Sequence, residues 1–309
     1  MGSYRPMSEE HVLVIENPAH LSVDLGRLRL RRDDFEDVFF LPADIACVVL
    51  HHDSITVSHH ALRVLAEARA VLLSTDKHHM PSGIFLSADA NRLSPTRLWS
   101  QIELHDSPIA AELWKQIVVS RLMTEAANLR DLEMNGALKI ERFAARVAPG
   151  DASNVEGQAA RHYWSMLFKD FKREKRGASD GLNARLNYGY AILRSLVARE
   201  LVSRGLTTEL GLGHRNHANP FNLADDFMEP YRYVVERFVY TQDPELEFVG
   251  PEKIALLGLL KCVVPINGRD FRLTNALAET VMSFLRVLET GEGQLILPQG
   301  WPDGGFDGS

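Results

Sequence analysis

The segment from Gly211 to Tyr231 sets two histidines, His214 and His217, just before three acids, Asp225, Asp226 and Glu229. An imidazole beside two carboxylates is a mixed nitrogen and oxygen site suited to Mn2+ and acceptable to Mg2+. It lacks the cysteine or three-histidine character of a zinc site. On a helix from Asn222, at roughly 100° per residue, Leu223, Phe227, Met228, Tyr231, Val234, Val235 and Phe238 share one face. Asp225, Asp226, Glu229 and Glu236 share the other, with Asp226 and Glu229 on adjacent turns. Asn222 fits the N-cap, Asp225 completes a capping-box-like pair, and Pro230 should kink the helix. Acids in a first turn also complement the helix dipole, and acids opposite an apolar stripe are ordinarily just solvated. The loop before them favours chemistry, because Gly211 and Gly213 permit the positive φ angles of a tight return. That return would fold His214 back over the carboxylates, whereas His217, closer to the cap, would run away from them.

These local ligands number two or three, so another carboxylate should come from elsewhere. Asn154-Val-Glu-Gly-Gln-Ala-Ala160 is the candidate source: Glu156 stands in the first turn of a helix, among small residues that allow close approach. Plain capping is the ordinary role of such a glutamate. The stretch from Lys169 to Arg176 is basic with one aromatic; Lys169, Lys172, Arg173, Lys175 and Arg176 suit phosphate contacts or a solvated helix end. Asn183 to Tyr190 sets asparagines and tyrosines among small residues, which suits either polar packing between helices or a phosphate-binding surface, with Asn187 and Tyr188 the candidates for the latter. The pairs His51-His52, His59-His60 and His78-His79 cannot chelate as units, because adjacent side chains point apart. No P-loop, dinucleotide fingerprint, G-x-S-x-G or H-E-x-x-H occurs.

The elements that must position these residues differ along the chain. His11 to Ile15, Leu21 to Leu25, Arg27 to Arg31, Ile45 to Leu50 and Ile55 to Ser58 read as strands, with Gly26 at a hairpin turn. Ala61 to Ala70 reads as a helix, Val71 to Leu73 and Ile84 to Leu86 as further strands. Near Asn91 to Pro95 the character changes, and apolar residues then recur at helical spacing: Leu113, Ile117, Val118, Leu122, then Leu186, Tyr190, Leu193, Val197. The expected fold is α+β: a small β-rich N-terminal domain over 1–92, a linker over 93–107, and a larger all-α catalytic domain over 108–309 with a loose tail after Gly291. The 309 residues, 45% hydrophobic, suffice for both cores. Two cysteines, Cys47 and Cys262, give no disulfide framework. No opening stretch reads as a signal peptide and no apolar run reaches bilayer length, so the expectation is a cytoplasmic protein without a membrane partner. Net charge is −7, yet residues 161–199 hold nine Lys or Arg against three acids, so the charge is segregated and a DNA partner stays open.

Together the residues resemble the CRISPR-associated integrases of spacer acquisition (CRISPR-associated protein one). The resemblance lies in Asn154-Val-Glu156-Gly-x-Ala-Ala160, Leu186-Asn-Tyr-Gly-Tyr190, His214-Arg-Asn and Phe221-Asn-Leu-Ala-Asp-Asp-Phe-Met-Glu-Pro230, in the family's order and spacing. It covers most of residues 150–240, and the last two blocks are similar to the branch that accompanies a single-chain, RNA-guided effector nuclease. The resemblance implies metal ligands at Glu156, His214 and Glu229, with Asp226 assisting, and Mg2+ or Mn2+ as the ion. Glu229 stands where some branches carry Asp, which changes reach but not chemistry. It further implies a homodimer formed largely through the N-terminal domains, a four-to-two complex with the small CRISPR-associated protein two, and the effector nuclease as a further partner. The implied reaction inserts spacer DNA into a CRISPR array by attack of a 3′-hydroxyl on a repeat phosphodiester, with Arg215 joining the basic residues at the DNA. The alternatives are a metal-dependent nuclease that cuts branched or single-stranded DNA without joining it, and a non-catalytic helical scaffold.

Overall fold

The computed structural model describes residues 11–77, 81–88, 94–169, 171–173, 181–242, 248, 253, 255, 256, 258, 259 and 262–301. The pair His78-His79 and the residues Lys175 and Arg176 lie outside these. The chain divides into two units, Met1–Ala90 and Asn91–Ser309.

The first unit contains β1 (His11–Ile15), β2 (Ala19–Asp24), β3 (Arg27–Arg31), β4 (Val38–Phe40), β5 (Ile45–Leu50), β6 (Ile55–Val57), α1 (His59–Glu67), β7 (Val71–Thr75) and β8 (Pro81–Phe85). One four-stranded sheet has the order β4-β3-β2-β6 and the other β1-β5-β7-β8. Leu25 and Gly26 both take positive φ, 46° and 74°, the two-residue turn whose twist suits a hairpin. That turn sets Leu21 opposite Leu30 and Val23 opposite Leu28. Leu21, Leu28, Ile45, Val48, Ala61 and Leu65 join one core that draws on both sheets and α1. Ser58 caps α1 by accepting the Ala61 amide at 3.1 Å.

The second unit contains α2 (Ser94–His105), α3 (Pro108–Asp131), α4 (Ala137–Ala144), α5 (Val155–Leu167), α6 (Gly181–Ser203), α7 (Asn222–Met228), α8 (Arg232–Thr241), β9 (Val263–Ile266), β10 (Arg269–Arg272) and α9 (Leu273–Thr290). Three expectations are corrected here. The linker over 93–107 is largely the helix α2, because Leu104 is buried and the buried Gln101 amide exchanges hydrogen bonds with the backbone of Thr207. The all-α domain contains the hairpin β9–β10. Asn267 and Gly268, both at positive φ, turn it, and Asn-Gly between short apolar runs is itself a strong hairpin signal. The tail after Gly291 is docked through Trp301. Leu295 and Gln299 amides donate to Gln116 and to the Pro265 carbonyl, Ser120 donates to the Pro298 carbonyl, and Pro298 bridges Ile266. The Trp301 indole donates to Asn128 at 3.1 Å and meets the Tyr233 ring edge-on, 4.6 Å between centroids.

At the centre lies α3. Its buried residues include Leu113, Ile117, Val118 and Leu122, but also Arg121, Thr124, Glu125 and Asn128. Pro230 has the expected effect: α7 ends at Met228, one 3-10 turn covers Glu229–Tyr231, and α8 follows. The Pro230 carbonyl accepts the Thr124 hydroxyl at 3.2 Å, which fixes the kink against α3.

Trp301→Ala removes both the ring contact and the indole donor, and should cost about 3 kcal/mol of stability. Thermal unfolding with limited proteolysis from the C-terminus checks this: an unchanged melting temperature would mean that the tail is not anchored by Trp301.

Candidate functional site

Glu156 opens α5, and its side chain is free of capping duty. Asn154, at φ 52°, accepts the Gly157 amide at 3.0 Å, while Asp151 accepts the amides of Val155 at 2.8 Å and Glu156 at 3.0 Å. A Cβ on Gly157 would strike the Asn154 amide at 2.5 Å, so this cap needs the glycine. With the helix end satisfied by others, the Glu156 carboxylate turns to the Arg121 guanidinium. The capping role open to Glu156 on sequence grounds is thus filled by Asp151 and Asn154.

Glu229 comes from the kink. Its carboxylate meets the same Nη1 of Arg121 at 2.7 Å, and both its oxygens accept from Nη1 of Arg232 at 3.1 Å. On the far side, Arg121 Nε donates to Glu125 at 3.0 Å. Arg232 lies against Glu236 at 3.5 Å, and the Tyr190 hydroxyl donates to Glu236 at 2.6 Å. On the face carrying Asp225, Asp226, Glu229 and Glu236, expected to be acidic and solvated if it did no chemistry, the last three are buried and only Asp225, paired with Arg194, is partly exposed. Burial would raise the Glu229 carboxyl, but Arg121 and then Arg232 outweigh it and pull it down to about 2. Burial holds Glu156 above its ordinary value against the pull of Arg121, with the Glu229 charge adding to the rise. Glu229, held by two guanidiniums, is therefore the first of the two to ionise. Burial pushes Glu125 up to about 7.

Asp226, fully buried in α7, organises the loop that carries His214. Its two oxygens accept the amides of Leu212, Gly213 (3.1 Å) and His214 (3.0 Å) and meet His214 Nδ1 at 2.7 Å. An aspartate occupied in this way sets the path of the loop and holds the ring that the loop carries. Burial opposes the imidazolium, but the Asp226 hydrogen bond and charge, with Glu229 and Glu156, carry His214 to about 9. Trp114 packs edge-on to the imidazole, 5.5 Å between ring centroids. Neither Gly211 nor Gly213 has a positive φ, which corrects the expected reason for them. The reason is contact: a Cβ on Gly213 would enter the Trp114 ring, and one on Gly211 would meet the His214 carbonyl. Asn222 is likewise not the N-cap, a position Phe221 takes without a side-chain bond. Asn222 staples the loop instead, donating to the carbonyls of Glu209 and Asn216. His217 is exposed and lines a cavity of about 400 Å3 with His105, Glu209, Arg215 and Asn219, apart from Glu156, Asp226 and Glu229.

The structure thus brings Glu156 and Glu229 to one nitrogen and fixes His214 beside them through Asp226. Among the described residues, no three acids, histidines or cysteines stand as a ready cation cage. The donor set nevertheless fits a divalent ion: two convergent carboxylates, and an imidazole whose Nδ1 is held by a carboxylate so that Nε2 is left for a ligand bond. Glu156 and His214 are the more exposed members, at 21% and 38% of their side chains, with Glu229 behind them.

The basic residues divide. Lys169 and Lys172 are exposed, and so is Arg215, which also donates to the His105 carbonyl at 2.6 Å. Arg173 and Asn187 are bonded to each other at 2.6 Å, with Arg173 also on Asn183, so they join the basic stretch to α6. Tyr188 has no exposed surface and packs edge-on to Phe248, which corrects it as a DNA contact. Arg185 is buried too, so the excess positive charge of residues 161–199 is partly internal. Sequence reasoning missed Arg121, Glu125, Arg232 and Tyr190. For the first two a signal existed: they share a helical face with Trp114, Ile117 and Val118, where a charge must be paired.

A family model described as "CRISPR associated protein Cas1" matches residues 12–242. The CRISPR-associated endonuclease Cas1 of Neisseria meningitidis serogroup C (strain 8013) is 32% identical over 93% of this chain and 95% of its own length. Among solved structures, a casposase bound to integration product superposes with a TM-score of 0.76 at 21% identity, covering 92% of each chain. A chain of a Cas6-RT-Cas1–Cas2 complex superposes at 0.70 and 20% identity, over 94% of this chain and 36% of its own. At these identities the superpositions show the fold alone. Among the described residues, no helix is long and apolar enough to cross a membrane.

Asp226→Asn turns an amide toward donors that now meet a carboxylate, and should cost about 3 kcal/mol. It should also bring the His214 titration, followed by NMR in chelated protein, from about 9 back toward the ordinary imidazole range. Because the folded value lies above the unfolded one, the pair's stabilisation is complete below the unfolded pKa and fades as pH rises through the folded one. An unmoved His214 titration would show that Asp226 does not hold it.

Proposed function

The chain belongs to the CRISPR associated protein Cas1 family, and on that premise we propose that it is a divalent-metal-dependent enzyme that cuts and joins DNA strands, inserting new spacer DNA into a CRISPR array. The observation that carries this reading is the convergence of the Glu156 and Glu229 carboxylates on one nitrogen, with His214 held beside them by Asp226. Glu156, Glu229 and His214 Nε2 are the groups that would hold Mn2+ or Mg2+. When bound, the ion supplies a Lewis acid for charge on a phosphate and its oxygens.

The chain's own groups position the reactants. In the joining step, the oxygen of a spacer 3′-hydroxyl forms a bond to a repeat phosphorus and loses its proton. The bond from that phosphorus to the neighbouring 3′-oxygen breaks, and the departing oxygen gains a proton. Phosphodiesters are exchanged one for one, so no energy source is needed and alignment of the ends supplies much of the rate. Lys169, Lys172 and Arg215 are exposed cations that would hold the DNA backbone. Hydrolysis by water would use the same ligands. A second copy of this chain, joined through the N-terminal domains, and the small CRISPR-associated protein two are the proposed partners, with the effector nuclease as a further one. The Cas1–Cas2 assembly in which a chain of this fold is found supports the second of these.

The deciding assay offers duplex DNA with 3′-hydroxyl ends and a supercoiled plasmid carrying a CRISPR repeat, with Mn2+ or Mg2+. Metal-dependent joined product is expected. Cutting without joining would make the chain a nuclease, and no metal-dependent change in a folded sample would favour a scaffold. Glu156→Gln should leave the melting temperature within a few degrees of wild type, as its helix is capped by other residues and Arg121 keeps Glu125 and Glu229, yet lower joining by orders of magnitude. His214→Ala should abolish joining, while His217→Ala lowers it modestly or not at all; the reverse order would mean that the ligand is His217. Replacing Lys169, Lys172 and Arg215 by alanine should weaken binding to all DNA sequences alike and reduce the salt slope by roughly 0.9 for each phosphate no longer neutralised. An unchanged slope would move the DNA path elsewhere.

A further inference from the structure

Arg121 is 3% exposed, and three carboxylates from three parts of the chain converge on it: Glu125 one turn along α3, Glu156 from the start of α5 and Glu229 from the kink before α8. The oxygens it takes, Glu156 Oε1 and Glu229 Oε2, belong to the two acids proposed as ion ligands. A guanidinium and a divalent ion are both cations that bind carboxylate oxygens, and one oxygen pair cannot serve both at full strength. Arg232 differs from Arg121, being joined to Glu229, Glu236 and the Tyr190 hydroxyl but not to Glu156.

We propose that Arg121 is a positioning residue that holds Glu156 and Glu229 together as their internal counter-cation and competes with the catalytic ion for them, so that the arginine sets the ion affinity. The inference rests on the reading of Glu156, His214 and Glu229 as the ion's ligands. Glu125 is the other half of the device. Its carboxylate draws the guanidinium away from the site, and one of its oxygens has no hydrogen-bond partner. Strengthening or weakening that pull should move ion affinity with no change in any ligand.

The test is Mn2+ binding to the full chain by calorimetry or EPR, with thermal unfolding measured with and without Mn2+. Arg121→Met removes the competitor and should tighten Mn2+ on the order of tenfold, within the range of coupling between contacting charges. It should also lower the melting temperature in chelator and let Mn2+ restore more of it than in wild type, because the unpaired carboxylates then depend on the ion. Glu125→Gln keeps an acceptor for Arg121 Nε and removes one negative charge, so it should fold and weaken Mn2+ several-fold, again by coupling. If Arg121→Met does not fold, Glu125→Gln alone decides. Affinities of both folded variants within twofold of wild type, or weaker binding in Arg121→Met, would overturn the competition while leaving the ligand assignment standing. Mn2+ binding that is undiminished in Glu156→Gln and Glu229→Gln would instead overturn the ligand assignment itself.

Discussion

The buried guanidinium of Arg121 constrains this half of the molecule. A charge taken out of water is tolerated only if it is paired, and removing one partner of such a group strands the other. Arg121 therefore obliges α3, the start of α5 and the kink before α8 to meet, since each brings one of its carboxylates. Arg232 repeats the demand one turn on, linking the kink to Glu236 and, through Tyr190, to α6. The candidate site is the solvent-facing end of this ionic core, where Glu156 and His214 reach partial exposure.

A second constraint positions the histidine. An aspartate that accepts three consecutive backbone amides and an imidazole sets both the path of a loop and the orientation of the ring it carries. The two glycines that flank this path make room rather than supply unusual torsions, one against the Trp114 ring and the other beneath the His214 carbonyl. Loop, ring and buried carboxylate are therefore one unit, which is how a histidine far along the chain from Glu156 comes within range of its charge.

Much of this could be read from residue order. Alternation about Gly26 gave the first hairpin, and helical spacing through Leu113, Ile117 and Val118 gave the long helix at the centre. Pro230 marked the kink, and Glu156, His214 and Glu229 were singled out from their types and from the family resemblance. What escaped was set by tertiary pairing. Arg121 and Glu125 lie on the apolar face of α3, but their partners Glu156 and Glu229 come from α5 and the kink, which no local spacing announces. Asp226, expected as an assisting carboxylate, accepts from a loop whose folding over it no local spacing announces. Asn267-Gly268 and the tail to Trp301 were missed for a different reason: the strongly helical pattern around them outweighed a short turn signal and an anchor that only α3 and α8 complete. Tyr188 stays open between packing and phosphate in the sequence because a tyrosine among small residues reads alike in both, and the Phe248 ring decides for packing.

Acids of this core neutralise buried arginines, and under the proposed function Glu156 and Glu229 would also hold the ion. The most direct test is an anomalous diffraction map from crystals of the protein soaked in Mn2+. One strong peak is expected within bonding distance of Glu156, Glu229 and His214 Nε2, with the Arg121 guanidinium displaced from both carboxylates toward Glu125. A peak elsewhere, or a crystal saturated with Mn2+ in which Arg121 still bridges Glu156 and Glu229, would contradict the competition between arginine and ion.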